Sequence, residues 1–131
     1  MILLDTHAWI WLGSNPERLS RRARAAIQRA VRSGGLSIAA ISLWEMAMLA
    51  AYGRIGVSGT LEAAIRDLVE STGVLIKEIT PTIAALSTQF PEDFPRDPSD
   101  RLIAATAWAE GLPLVTRDQS IRSSRLLKTV W

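Results

Sequence analysis

The chain lacks several residue types on which proteins commonly build functional sites. It has 131 residues, no cysteine and a single histidine, His7. Disulfides, thiolate metal sites and metal sites made of several histidines are therefore excluded, and a Ser-His-Asp triad would have to use His7. A metal site in this chain would consist mainly of oxygen ligands, which favours Mg2+ or Mn2+.

Long apolar segments are missing as well. No apolar stretch approaches the ~20 residues that a membrane span requires, and the N-terminal Met1–Asp5 segment contains no basic leader. We therefore expect a cytoplasmic protein without a membrane partner. The chain length suits one domain over residues 1–131, and the content of 48% hydrophobic and 21% charged residues is typical of a globular fold.

Lysine is scarce, whereas arginine is abundant. Only Lys77 and Lys128 among the 15 basic residues are lysines, and the net charge is +2 with a pI of about 9.7. The planar fork of arginine matches phosphate, but a basic pI indicates nucleic-acid binding only when the charge is clustered. Solvated helix faces and a nucleic-acid surface therefore both remain possible for these arginines.

Short apolar stretches alternate with helical patterns. Strands are predicted at Ile2–Leu4, Leu36–Ala39, Val74–Ile79, Leu112–Thr116 and Leu126–Val130. Helices are predicted at Thr6–Leu12 (ending near Gly13 and Pro16), Ser20–Ser33, Ser42–Tyr52, Thr60–Gly73, from Thr80-Pro81 to before Phe90, from Asp97-Pro98 to Gly111, and as a short turn at Gln119–Ser124. This alternation predicts a mostly parallel sheet covered by helices on both faces, with its functional site beyond the carboxyl ends of the strands.

Four acidic residues fall at that edge of the predicted sheet. Asp5 and Asp118 follow strands directly, whereas Glu45 and Asp100 lie in the first turns of helices. A helix that links parallel strands is antiparallel to them, so its N-terminus lies at their carboxyl edge. Glu78 also ends a strand, but we expect that strand at the margin of the sheet, where convergence with the others is less favoured.

Each of these acids also has a purely structural interpretation. Ser42-Leu43-Trp44-Glu45 matches a capping box. Asp97 is a natural N-cap, and Asp100 would favour the positive end of the same helix. Asp5 and Asp118 could each cap the helix that follows.

Taken together, the acids favour a functional interpretation. Two like charges ~4 Å apart cost about 4 kcal/mol at an effective dielectric constant near 20. A cluster of carboxylates therefore requires a cation or protonation. A divalent ion held by oxygen ligands suggests activation of water and in-line attack on a phosphate.

Four segments of the chain resemble, in order and spacing, the motifs of the PIN-domain family, in particular VapC-type ribonuclease toxins of type II toxin–antitoxin systems. They are Leu3–His7, Ser42–Ala47, Asp97–Ala107 and Leu112–Asp118. The resemblance implies a three-layer α/β/α sandwich with a mostly parallel sheet. It further implies an endoribonuclease that depends on Mg2+ or Mn2+, with RNA as substrate, and a cognate antitoxin as partner.

The resemblance also implies roles for individual residues. Asp5, Glu45, Asp100 and Asp118 would form the catalytic acidic quartet. Asp5 and Asp100 would be direct metal ligands, Asp118 a ligand or an acid just outside the ligand shell, and Glu45 would orient the attacking water.

The sequence departs from the family pattern at one place. Many relatives carry a further acid shortly after the fourth motif, where this chain has Gln119-Ser120-Ile121-Arg122, which argues against a second metal ion held entirely by protein. For Asp97, a helix cap is favoured over a role at a second metal ion. Thr6 and Thr116 could hydrogen-bond the acids, and for His7 packing or capping is favoured over phosphate contact.

Partners and competing functions follow from the remaining residues. Tryptophan is enriched at interface hot spots, so some of Trp9, Trp11 and Trp44 are expected in an antitoxin groove or a homodimer face, and Trp108 in the core. The phosphate could be contacted by Arg96, Arg101 or Arg117, although Arg101 could instead pair with the acids.

Two alternatives to the toxin function remain. One is a catalytically degenerate nucleic-acid-binding module, and the other is a PIN-type nuclease that acts in RNA processing or on DNA.

Overall fold

The computed structural model describes all residues, 1–131, and is built on one five-stranded sheet. Its strands are β1 (Ile2–Leu4), β2 (Leu36–Ala39), β3 (Leu75–Lys77), β4 (Leu114–Val115) and β5 (Thr129–Val130). Their order across the sheet is β3-β2-β1-β4-β5, and every neighbouring pair is parallel. The predicted parallel sheet is confirmed, and β3 lies at its margin as expected.

Helices connect the strands. They are α1 (Thr6–Ser14), α2 (Arg21–Arg32), α3 (Ile41–Ala51), α4 (Leu61–Thr72), α5 (Pro81–Leu86), α6 (Pro98–Glu110) and α7 (Gln119–Arg122), with a 3₁₀ turn at Pro16–Arg18. None of them combines the length and the apolar character that crossing a membrane would need.

Side chains of the central strands alternate between two apolar cores, one on each face of the sheet. In β1, Ile2 and Leu4 contribute to a core shared with α1, α2 and α4, whereas Leu3 points into a second core shared with α5, α6 and α7. Such alternation is what a strand buried on both faces requires. The α/β/α sandwich is therefore confirmed.

Most helix boundaries follow from local capping chemistry. The hydroxyls of Ser20, Thr60 and Thr80 each accept the backbone N–H three residues further on, at the start of α2, α4 and α5. Gly73 ends α4 in the left-handed conformation, with φ 68°. The sequence predicted these helices to begin at Ser20, Thr60 and Thr80 and α4 to end at Gly73, in agreement with the caps.

Helix α1 is longer than predicted. Gly13 does not end it; the helix continues to Ser14. A Cβ atom at Gly13 would collide with the side chain of Leu68 in α4, so this glycine allows α1 and α4 to pack closely. Strands β4 and β5 are shorter than the apolar segments that predicted them.

Candidate active site

A cavity opens at the carboxyl edge of the sheet, where β1 and β4 end side by side. Its volume is about 520 Å3. Because β1 and β4 are parallel neighbours, the residues that follow them lie at the same place. The lining consists of Asp5, Glu45, Asp97, Asp100 and Asp118, together with His7, Ala8, Trp11 and Arg117. The structure thus brings the four acids singled out in the sequence to one cavity and adds a fifth.

Asp5 is fixed by hydrogen bonds from both sides. The backbone N–H of Thr6 donates to Oδ1 at 2.8 Å, which caps α1, and the hydroxyl of Thr116 donates to Oδ2 at 2.7 Å. Thr116 in turn accepts the backbone N–H of Asp118 at 3.1 Å. Both carboxylate oxygens keep a free lone pair for a further partner.

Glu45 is held by a chain of hydroxyl groups rather than by a capping box. The hydroxyl of Thr6 donates to Glu45 Oε1, and Thr6 and Ser42 lie 2.8 Å apart, oxygen to oxygen. Since Thr6 has one hydroxyl proton, Ser42 must donate to Thr6. The predicted capping box is wrong: α3 begins at Ile41 without a side-chain cap, and Glu45 lies beyond the first turn.

Asp118 caps a helix with one carboxylate oxygen and presents the other to the cavity. Its Oδ1 accepts the backbone N–H groups of Ser120 at 2.8 Å and Ile121 at 3.4 Å, which caps α7 as the sequence suggested. Its Oδ2 has no partner within the chain and is available to the cavity.

Asp97 and Asp100 are the two acids without hydrogen-bonded anchors. Asp97 occupies the N-cap position of α6, but its side chain makes no capping hydrogen bond. The expectation that Asp97 serves mainly as a cap is therefore wrong. Asp100 lies in the first turn of the same helix and lines the cavity.

Basic residues contribute little to neutralising this edge. Arg101 does not pair with the acids and does not line the cavity; its guanidinium donates to the backbone oxygens of Pro95 at 2.9 Å and Ser87 at 3.4 Å. Arg96 is exposed outside the cavity lining, and Arg117 alone among the arginines lines it. The two ion pairs in the chain, Glu62–Arg66 and Lys77–Glu110, lie elsewhere.

Burial and uncompensated negative charge raise the pKa values of three carboxyl groups in the cavity. Burial raises the pKa of Asp5 against the opposing hydrogen bonds from Thr116 and Thr6, and burial also raises the pKa of Glu45. For Asp100, burial and then the charges of the surrounding acids, with Asp5 the largest, raise the pKa to about 7. Proton affinity is therefore high where a cation would also be stabilised.

The donor set fits a hard divalent cation by its chemistry. All candidate ligands are carboxylate oxygens, which Mg2+ and Mn2+ prefer. No group of three or more acidic or histidine side chains is arranged in this conformation so that it could hold a metal ion. Mg2+ commonly binds through one or two carboxylates and keeps several waters, so the cavity fits such an ion without a closed protein shell.

The tryptophans have different environments. Trp9 is fully buried and donates its Nε1–H to Thr72 at 3.0 Å, so it belongs to the core. Trp108 is half-buried against Phe90. Trp44 is 54% exposed, and Trp11 lines both the acidic cavity and a second groove beside it.

Comparisons with known proteins agree with this geometry. The model of the PIN-domain family matches residues 2–124. A curated relative, ribonuclease VapC22 of Mycobacterium tuberculosis, is 41% identical over 132 aligned residues, which cover 99% of this chain and 98% of the relative.

Solved structures resemble the whole fold. The VapBC2 complex of Rickettsia felis, bound to a promoter DNA fragment, matches with a TM-score of 0.73 at 16% identity and covers 98% of this chain and 97% of its own. The DNA-bound VapBC of Salmonella typhimurium matches with a TM-score of 0.70 at 19% identity, with coverages of 98% and 97%. A toxin–antitoxin complex of Klebsiella pneumoniae gives 0.65 at 24% identity, with coverages of 97% and 95%.

Proposed function

The chain belongs to the PIN-domain family, and we propose that it is the ribonuclease toxin of a toxin–antitoxin pair, which hydrolyses RNA phosphodiester bonds at the acidic cavity. The observation that carries the proposal is the convergence of five carboxylates on one cavity. The 41% sequence identity to a VapC ribonuclease, which extends over the full chain, supports RNA as the substrate. Such an enzyme would meet its RNA in the cytoplasm.

The proposed roles follow from the anchoring of each side chain. Asp5, Asp100 and Asp118 would hold Mg2+ or Mn2+, with the free lone pairs of Asp5 and the free oxygen of Asp118 facing the cavity. When bound, the ion would supply positive charge against the phosphate and acidify water.

Glu45 would act as proton acceptor for the attacking water. Its carboxylate is oriented by the Ser42–Thr6 hydroxyl chain, and its raised pKa, caused mainly by burial, makes it a stronger proton acceptor than an ordinary glutamate. Arg117 would contact the phosphate, because it is the arginine that lines the cavity.

The test of this function is cleavage of a structured RNA panel by highly purified protein. We expect cleavage with Mg2+ or Mn2+, complete loss with EDTA, and recovery when the divalent ion is added back in excess. Calcium in place of magnesium is the matched control, because it binds carboxylates without the compact octahedral geometry. Cleavage that persists in EDTA would contradict the metal requirement.

A nucleic-acid-binding module without catalysis is the second candidate. It is favoured by one observation, the lack of three converged ligand side chains. The same experiment separates the two functions: RNA binding by pure protein without any cleavage in Mg2+ or Mn2+ would favour the module.

We further propose that the antitoxin binds the groove beside the cavity. This groove, of about 620 Å3, lies between α1, α4 and the segment after α3, and its lining includes Trp11, Met46, Ile55, Val57 and Leu68. Because Trp11 lines both spaces, a segment bound in the groove would extend to the mouth of the acidic cavity.

Introducing a charge into the groove should release the antitoxin. We expect Val57→Asp, at a 39% exposed position in the groove, to weaken antitoxin binding by at least about tenfold, because a carboxylate would have to be desolvated there. Val31→Asp, at a 63% exposed position on α2, is the control and should bind normally. Calorimetric titration of purified antitoxin into each variant measures the effect, and equal affinities for both would count against the groove.

A homodimer would use a different surface. Leu43, Ile65, Val69 and Ile76 line an apolar depression of about 640 Å3 between α3, α4 and β3, and Leu75 beside it is 57% exposed. Such patches on a folded chain commonly mark association sites. Sedimentation analysis should give a dimer for the wild type and a monomer for Ile76→Lys; a monomeric wild type would refute this proposal.

A further inference from the structure

Aromatic rings extend from the acidic cavity along the rim of the molecule. His7 and Trp11 both line the cavity and, being four residues apart on α1, share one helix face. Their ring centroids are 5.7 Å apart with an interplanar angle of 50°, and Trp131 lies 5.9 Å from Trp11 at 54°. His7 is exposed and the two tryptophans are half-buried, so parts of these rings are open to a ligand.

A guanidinium group lies over the same aromatic surface. The Cζ atom of Arg18 is 4.9 Å from the centroid of the Trp11 ring, a cation–π distance. Arg18 is exposed and forms no ion pair with any carboxylate of the chain. Its planar donors are thus held in place by Trp11 and remain free for an anion.

We propose that His7, Trp11, Arg18 and Trp131, together called the rim subsite, bind the nucleotide next to the scissile phosphate of a single-stranded RNA. The proposal rests on the function assigned to the cavity above. Single-stranded nucleic acids are held by aromatic side chains that stack on bases and by cations that follow the backbone, and the rim subsite offers both.

Electrostatics explains why such a subsite is needed here. Five carboxylates line the cavity against one arginine, so beyond the one phosphate that a bound ion would stabilise, the cavity repels the backbone of a polyanion. A strand that enters must be held by contacts just outside this field. Arg18 would bind the adjacent phosphate, and the exposed ring surface of His7 and Trp131 would stack on its base without reading its identity.

Binding can be measured apart from cleavage in the inactive Asp100→Asn background. In fluorescence anisotropy with a labelled single-stranded oligoribonucleotide, Arg18→Ala should reduce the slope of log affinity against log salt by about 0.7, the loss of one phosphate contact to a single strand. Trp131→Ala should weaken binding about tenfold with an unchanged slope, because it removes stacking and no charge. Trp131→Phe should restore most of the affinity.

The matched control is Arg29→Ala. Arg29 is an exposed arginine in the last turn of α2, the end that leads into the start of β2 and is therefore opposite the cavity edge. It should change neither affinity nor slope. If Arg18→Ala has the same salt slope as Arg29→Ala, the phosphate contact is refuted.

Cleavage provides a second readout in the otherwise wild-type chain. Arg18→Ala and Trp131→Ala should raise KM for RNA several-fold with little change in kcat. Unchanged RNA kinetics together with weakened antitoxin binding would overturn the proposal and assign the rim to the protein partner. A wild-type chain that binds RNA through the rim but never cleaves it would contradict the proposed function of the cavity and would leave the rim subsite supported.

Discussion

Replacement of Asp5 or Asp100 by asparagine is expected to reduce RNA cleavage by at least about 100-fold, the order of effect seen when groups that hold a catalytic ion are lost. Asparagine keeps the size of the side chain and one oxygen acceptor. At position 5 that oxygen can accept the Thr6 N–H, and the new NH2 group can donate to the Thr116 hydroxyl, so the fold should survive. What is lost is a negative charge at the cavity, which is needed to hold a divalent cation beside the phosphate.

The measurement is the single-turnover rate on an RNA that the wild type cleaves, in saturating Mg2+ or Mn2+. Asp93→Asn is the matched control, because Asp93 is an exposed acid in the loop before α6 and does not line the cavity. It should cleave at the wild-type rate. Asp5→Asn or Asp100→Asn variants as active as Asp93→Asn would show that these acids do not belong to the catalytic site.

The same Asp100→Asn substitution should stabilise the metal-free protein. Burial and then the neighbouring charges raise the pKa of Asp100 from its ordinary value of 3.8 to about 7 in the folded chain. A carboxyl group with a raised folded-state pKa contributes its full stability below about pH 4 and loses it as the pH rises towards 7. Metal-free wild type should therefore be more stable at pH 5 than at pH 8.

The size of this effect is limited by solvent screening, because Asp100 is only partly buried. At pH 8 and in EDTA, we expect Asp100→Asn to raise the free energy of unfolding by about 1–2 kcal/mol, seen as a Tm higher by about 5 °C. Near pH 4 the advantage should disappear, and Asp93→Asn should show none at either pH. A destabilised Asp100→Asn at pH 8 would mean that the carboxylate supports the helix rather than the site.

The parts of the fold that the sequence predicts are those set by local chemistry. The hydroxyl caps at Ser20, Thr60 and Thr80 act on the N–H three residues away, so they can be recognised without knowing the rest of the chain. The short apolar strands alternate with helices, which restricts the connections to right-handed parallel crossovers. The common edge for Asp5, Glu45, Asp100 and Asp118 follows from that topology.

The features that the sequence does not predict depend on distant partners. Ser42 and Glu45 have the spacing of a capping box, yet both bind the hydroxyl of Thr6, which is 36 and 39 residues away. No local pattern distinguishes these outcomes. Arg101 likewise finds its acceptors in loop carbonyls whose positions depend on how that loop folds.

The sequence does indicate that His7 and Trp11 are neighbours. Their i, i+4 spacing places both on one face of the helix that Asp5 caps. The contact between Trp11 and Trp131, by contrast, joins the first helix to the last residue of the chain. That contact depends on β5 pairing with β4 at the margin of the sheet, a register that two strand residues do not specify.

Separate carboxylates are proposed to share one divalent cation at the mouth of the cavity, and anomalous diffraction from crystals grown with Mn2+ would locate that ion. We expect a manganese peak within coordination distance of Asp5 and at least one of Asp100 and Asp118, absent from Asp5→Asn crystals grown under the same conditions. Crystals of cleavage-competent protein with no peak in the cavity, or with the ion bound only elsewhere, would contradict this proposal.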